Sequence, residues 1–284
     1  MIKNRHFVRS PQSGFTLVEL MVVAAILLIV LAPIFNSIAL MAKRSQTEEV
    51  KVDISQETRE FVDEFERDIH QAGFPNCRMF YTGNACTSNA SYTSAAIAAG
   101  LVSVSSTRII FEGDVDGDGV VDSIQYRIVD SSGNYPPTGT CPCTIQRSQV
   151  VKVAGTSPLN QATTFSQELQ NVVNSGQPAG GAVYGNGLNI SGSTAWGATN
   201  TAYYASIATV KDFPVFTAYL QDGTSQALPL DISTASGQST LPLIRSIRIT
   251  INVLANQTTG TDLDSKARPF ETLVGTGRLV NNTF

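Results

Sequence analysis

A chain of 284 residues with 15% charged side chains and a formal charge of −4 has enough apolar content for a core, and no basic excess with which a whole domain could hold nucleic acid. Thr, Ser, Asn, Gln and Gly dominate its second half, which suits an exported, β-rich surface better than a cytosolic enzyme. The cysteines, an even set of four, all lie beyond the N-terminal apolar run, which points to an oxidising compartment.

The chain begins with a short leader carrying Lys3, Arg5 and Arg9. From Phe15 to Met41 it is almost continuously apolar, interrupted by Thr16, Glu19, Pro33, Asn36 and Ser37, and that run is long enough to span a bilayer. The basic leader keeps residues 1–14 cytoplasmic and sends the chain beyond Lys43 and Arg44 across the membrane. A secretory signal places its small cleavage-site residue after the apolar core, whereas Gly14 stands before it. Glu19 lies inside the span, where a carboxylate costs a few kcal/mol; it requires a partner there or snorkels to the interface.

The stretch Ser13-Gly14-Phe15-Thr16-Leu17-Val18-Glu19-Leu20-Met21-Val22 resembles the class III prepilin motif shared by type IV pilins and type II secretion pseudopilins. The resemblance implies cleavage between Gly14 and Phe15 by a membrane prepilin peptidase/methyltransferase, methylation of the new Phe15 amine, and retention of the apolar segment as a filament core. It also implies that Phe15 and Glu19 direct filament assembly, the Phe15 amine of one subunit neutralising Glu19 of its neighbour. The partners implied are other major and minor pilins and an inner-membrane assembly platform. Before assembly the chain is expected in the inner membrane, N-terminus cytoplasmic and globular domain periplasmic, and afterwards in a pilus on the cell surface. Loss of the leader leaves 16 basic against 23 acidic residues, a charge of −7, so no direct contact with nucleic acid is expected.

From Thr47 to His70, apolar residues recur at Val50, Ile54, Phe61, Phe65 and Ile69, with Thr58 filling the gap, which predicts a helix with one covered stripe. The charges between Glu48 and Asp68 read as its solvated faces. Gly73-Phe74-Pro75 should end the helix. A continuous helix from Phe15 to Ala72 would be roughly 85 Å long, with Pro33 bending or locally melting it.

Beyond Pro75, short β-branched runs alternate with Gly, Asn, Ser and Pro clusters, predicting antiparallel strands over Thr107–Glu112, Ser123–Val129, Thr144–Val153, Phe213–Leu220, Ile244–Leu254 and Phe270–Leu279. Phe165–Val173 reads as a short helix or an irregular crossing, and residues 175–210 as an elaborated surface excursion. The expected fold is α+β and pilin-like, a long N-terminal helix packed on an antiparallel sheet. Its expected parts are a cleaved leader (1–14), a transmembrane and filament-core helix (15–43), an amphipathic continuation (44–74) and an extracytoplasmic β-rich domain (75–284). The order of elements, with Asp68-Ile69-His70-Gln71-Ala72-Gly73-Phe74, Asp118-Gly119 and Leu243-Ile244-Arg245-Ser246-Ile247-Arg248-Ile249, resembles the minor pilins called PilW and the related J-type pseudopilins. The resemblance implies a minor pilin of a type IV pilus that takes part in pilus assembly or initiation, with a J-type pseudopilin of type II secretion or a tip adhesin as alternatives.

Asp114, Asp116, Asp118 and Asp122 occupy positions 1, 3, 5 and 9 of a loop with Gly119 at 6 and the Val120 carbonyl at 7, the spacing that wraps oxygens around calcium. Gln125 stands where a bidentate glutamate would close an EF-hand, so the site is either incomplete or completed from elsewhere, with Glu112 and Asp130 as candidates. The alternative is a solvated acidic hairpin turn. Four cysteines allow three pairings: Cys77 with Cys86 closes a local loop and leaves Cys141 with Cys143, a strained bridge, while the same Cys-Pro-Cys is also a weak zinc pattern with no histidine nearby. Tyr184, Trp196, Tyr203 and Tyr204 form either an adhesive surface or the packing of their own loop. His6 and His70 stand in no nucleophile–base arrangement and no glycines form a phosphate loop, so neither catalysis nor a catalytic cofactor is expected.

Overall fold

The computed structural model describes residues 14, 16–80, 93–130, 132–137, 140–174, 189–190, 213–254 and 270–280. The chain divides into two compact units, with the boundary between Gln46 and Thr47.

The first unit holds the apolar half of helix α1 (Leu17–Gln71). Its side chains from Leu17 to Met41 are almost all exposed, and among the described residues α1 alone is long and apolar enough to cross a membrane. Pro33 does not melt the helix locally, since α1 runs through it uninterrupted. Pro33 lacks the N–H that would bond the preceding turn, while its own carbonyl accepts the Ser37 hydroxyl at 2.8 Å.

The second unit is the remainder of α1 wrapped by a curled antiparallel sheet, an α+β pilin-like fold. After α1 come a short helix α2 (Cys77–Phe80) and strands β1 (Gly100–Val104), β2 (Arg108–Gly113), β3 (Asp122–Val129), β4 (Thr140–Cys141), β5 (Cys143–Val151), β6 (Phe165–Val172), β7 (Asn189–Ile190), β8 (Phe216–Leu220) and β9 (Leu230–Asp231). Helix α3 (Ala235–Thr240), capped by the Thr234 side chain, leads through a 3-10 turn into β10 (Ile244–Leu254) and then β11 (Phe270–Arg278). The main sheet runs β11-β10-β6-β5-β3-β2-β1-β9, with β8 also paired to β10; β4 and β7 form a separate parallel pair.

The predicted stripe is the covered one: Ile54, Thr58, Phe61, Phe65 and Ile69 are buried, Val50 at its start is half-buried, and Val62 and Ala72 extend it. Tyr126 of β3 stands edge-on to Phe61 and Phe65 and stacks on Phe111 of β2, while Phe65 also meets Phe216 of β8. Each such side chain removed from water stabilises the fold by about 1.5–3 kcal/mol. β11 closes over the same helix because Gly275 and Gly277 carry no side chain there: a Cβ at Gly277 would lie 2.7 Å from Ile69, and one at Gly275 would overlap Val62. Gly73, at φ 81°, ends α1 as expected, and its N–H donates to the Glu112 carbonyl at 2.8 Å.

Two expectations change, and one strand had no counterpart among them. Phe165–Val172 is a strand, recruited by β5 through two register shifts and by β10 through the single pair Val172–Val253. β8 begins at Phe216 rather than Phe213, because the N–H groups of Val215 and Phe216 both turn to the Ser106 carbonyl. β1, which lacked an alternating pattern, is buried at all five positions.

Candidate functional site

The start of α1 carries the first set of candidates. Gly14 is exposed, and a Cβ added there would meet nothing within 4 Å, so nothing among the described residues requires glycine at this position. Phe15 lies outside the described residues. Thr16 caps the helix: its N–H and hydroxyl both donate to the Glu19 carboxylate at 2.9 Å, and the Glu19 N–H returns a bond to the Thr16 hydroxyl at 3.3 Å. Thr16-Leu17-Val18-Glu19 is therefore a capping box, satisfying polar groups at a helix end without leaving the chain. The pattern Thr-x-x-Glu was present in the sequence, but its meaning was hidden by Glu19's position in an apolar span.

The acidic loop joins β2 to β3 and is rooted at the end of α1. Ala72 bridges to Gly113, the Asp114 N–H donates to the Phe74 carbonyl at 2.8 Å, and a Cβ at Gly113 would strike the Gln71 carbonyl. Asp114 is buried, and its carboxylate accepts the N–H groups of Gly117 at 2.8 Å and Gly119 at 3.0 Å. Gly117 and Gly119 have φ of 77° and 85°, the left-handed conformation that glycine adopts without strain. Asp116 and Asp118 accept from the N–H groups of Asp118 and Val120. One oxygen from each of Asp114, Asp116 and Asp118 lies within 4.8 Å of the others.

Asp122 stands apart from this trio at the head of β3, where Gln149 donates to it at 2.6 Å. Burial lifts its carboxyl above the usual carboxylate range, opposed by the Gln149 bond and reinforced by the charges of Asp116, Asp118 and Asp114. The Val120 side chain is exposed, and Gln125 is on a strand. Neither residue suggested to complete the set is turned to it. Asp130 accepts from Ser132 and Asn134 in its own turn. Glu112 forms a buried ion pair with Lys152 at 2.5 Å, and Lys152 also donates to the Ile97 carbonyl.

A third cluster was missed. Asp68 is buried, not solvated: it accepts the Tyr126 hydroxyl at 2.7 Å and pairs with Arg147 of β5, also at 2.7 Å. Burial and the Asp68 charge push the Tyr126 phenol up. Burial works against the Arg147 charge, but neighbouring Tyr126 and Asp68 outweigh it and hold the guanidinium protonated. The signal was available, because Asp68 follows Phe61 and Phe65 at helical spacing on the covered stripe.

The remaining candidates are only partly visible. Cys77 packs with Ile97, Cys143 is buried in the main core, and no cysteine among the described residues is free. Cys86 and the Cys141 side chain lie outside the described residues, as do Tyr184, Trp196, Tyr203 and Tyr204.

Residues 9–35 match the family model of the prokaryotic N-terminal methylation motif, a mark of structural rather than enzymatic proteins. No curated protein and no solved structure matches the chain significantly. The methylation motif, the apolar helix that follows it and the curled sheet around the helix's second half make this chain a type IV pilin-like protein with a class III prepilin signal.

Proposed function

We propose that the chain is a minor pilin of a type IV pilus, cut after Gly14, methylated on Phe15 and built through its apolar helix into a filament with other pilins. The observation that carries this reading is the contrast along α1. Its second half is covered by a sheet, while Leu17–Met41 presents apolar side chains on all sides and needs lipid or neighbouring helices to cover them. Gly14 supports it too: with no demand for glycine within the described residues, the peptidase cleft is the place where a side chain would obstruct. In this arrangement the N-terminus starts in the cytoplasm, the domain from Thr47 onward is periplasmic, and the processed subunit reaches the pilus through an inner-membrane assembly platform.

Co-expression with a prepilin peptidase tests the reading. The mature protein should begin at a methylated Phe15, and recovery of its neighbours should yield pilins. A chain that keeps its leader defeats the proposal; recovery with secretion components alone reassigns it to type II secretion.

Asp114, Asp116 and Asp118 would hold a structural calcium ion in this domain. Oxygens within 4.8 Å of one another fit around one ion whose ligand bonds are about 2.3–2.6 Å. Asp122 would act from outside the trio through Gln149, whose amide donates to Asp122 at 2.6 Å and to Asp116 at 3.3 Å, and the other ligands would be backbone oxygens and water. The separate packing of Cys77 and Cys143 supports local bridges, Cys77 to Cys86 and Cys141 to Cys143.

A further inference from the structure

The face of the sheet turned away from α1 carries a pair of arginines held among aromatic rings. Arg108 of β2 and Arg127 of β3 are directly opposite each other. Ile128 donates to the Thr107 carbonyl, which makes Arg108 and Arg127 the adjacent non-hydrogen-bonded pair, the arrangement that brings cross-strand side chains closest. Like charges in that position destabilise a sheet. Their neighbours Ile109 and Tyr126 point to the helix side, so both arginines project from the opposite face.

The two guanidiniums share one aromatic ring. Arg108 lies 5.3 Å and Arg127 5.8 Å from the centre of Tyr135, and Arg127 also covers Phe165 at 3.5 Å. Gln146, next in the row on β5, accepts from the Arg127 Nε at 3.0 Å. No carboxylate among the described residues pairs with either arginine; Glu112, further along the same face of β2, is taken by Lys152. The Arg108 Nε is buried with no hydrogen-bond partner among the described residues. Burial lowers the Arg127 pKa and the neighbouring Arg108 charge lowers it further, while Tyr135 opposes them.

Two cations held side by side against repulsion, with one buried donor unused, are arranged for an anion that the fold does not itself provide. A single carboxylate is satisfied by one guanidinium fork and leaves the second charge standing, whereas a phosphate monoester has the charge and the oxygens for both. We infer that Arg108 and Arg127, held by Tyr135, Phe165 and Gln146, form a binding site for a phosphate-type oxyanion, supplied as a free phosphate or as a lipid headgroup.

The test uses the full chain in non-ionic detergent at constant ionic strength. Inorganic phosphate is followed by phosphorus NMR line-broadening, in parallel with micelles doped with a phosphomonoester lipid. Broadening that is lost in Arg108→Gln and partly kept in Arg127→Lys supports the site, with affinity falling roughly 10- to 100-fold for Arg108→Gln. A response confined to the doped micelles also supports it and assigns the phosphate to a headgroup. Thermal unfolding in chloride adds a readout that a packing role would not give: Arg108→Gln, relieved of repulsion, should melt no lower than the parent chain. No response to either probe, or an undiminished response in a folded Arg108→Gln protein, overturns the site. So does binding to an oligonucleotide without any response to phosphate.

Discussion

The Tyr126 hydroxyl donates to the Asp68 carboxylate at 2.7 Å, tying the middle of a strand to the end of a helix inside the core. Arg147 completes the arrangement, and both Asp68 and Tyr126 are removed from water. Tyr126→Phe leaves the ion pair intact but removes a hydrogen bond to a charged carboxylate, and should cost about 1.5–3 kcal/mol. Arg147→Met strands a buried carboxylate and should cost about 3–5 kcal/mol. Denaturant unfolding of both variants checks the ranking; equal costs would mean that Arg147 is neutralised by solvent rather than by Asp68.

Glycine at 277 is a matter of space, not of backbone freedom. A Cβ there would approach Ile69 to 2.7 Å. Gly277→Ala should destabilise the domain by about 1–3 kcal/mol through overpacking, while membrane insertion of the apolar half of α1 stays unchanged. A lowered Tm with normal membrane fractionation is the expected result.

The acidic loop gives a pH signature. The Asp122 pKa is raised in the folded state, so the folded chain holds that proton more tightly than the unfolded one. Its contribution to stability is therefore present below the unfolded value of about 3.9 and is lost as pH rises through the folded value. Asp122→Asn should raise Tm at neutral pH and flatten the fall above pH ~4.

Calcium should raise the Tm of the parent chain relative to chelator. That increment should survive Asp122→Asn, which lies outside the trio, and disappear in Asp118→Asn. Calorimetry with calcium on both variants provides the comparison.

Glu19 has two separable roles, capping and charge. Glu19→Gln keeps an acceptor for Thr16 but removes the charge, so the protein should be cleaved normally and fail to enter filaments. Thr16→Ala removes half of the capping box and keeps the charge, so it should enter them. Leader cleavage and pilus incorporation, scored on blots of cell and sheared fractions, separate the two.

Much of this molecule is legible from its residues. Ile244–Leu254 alternates isoleucines with polar residues and is a strand over the predicted range, and the stripe from Ile54 to Ile69 is covered as its spacing requires. Phe165–Val172 is not legible, because its polar residues carry no strong period and its strand conformation comes from β5 and β10. β1 escapes for a different reason: covered on both faces, it has no alternation to show. At the candidate sites, the spacing of Asp114, Asp116 and Asp118 predicted their convergence, but the diversion of Asp122 to Gln149 depends on a strand pairing distant in sequence. The Arg108–Arg127 pair likewise exists only through the register of β2 on β3.

The closure of β11 over α1 sets a timetable. The Thr276 N–H that bonds to Glu66 is made 210 residues after it, which at about 5–20 residues per second is a delay of roughly 10–40 s during synthesis. Throughout that interval Val62 and Ile69 lack the strand that will seal them, so the nascent helix presents an adhesive apolar face before it has a sheet. Interruption of synthesis or cleavage before Phe270 would leave that face open permanently. The vulnerable species for this protein is thus a nearly complete chain, sticky along one stripe and lacking only its clasp.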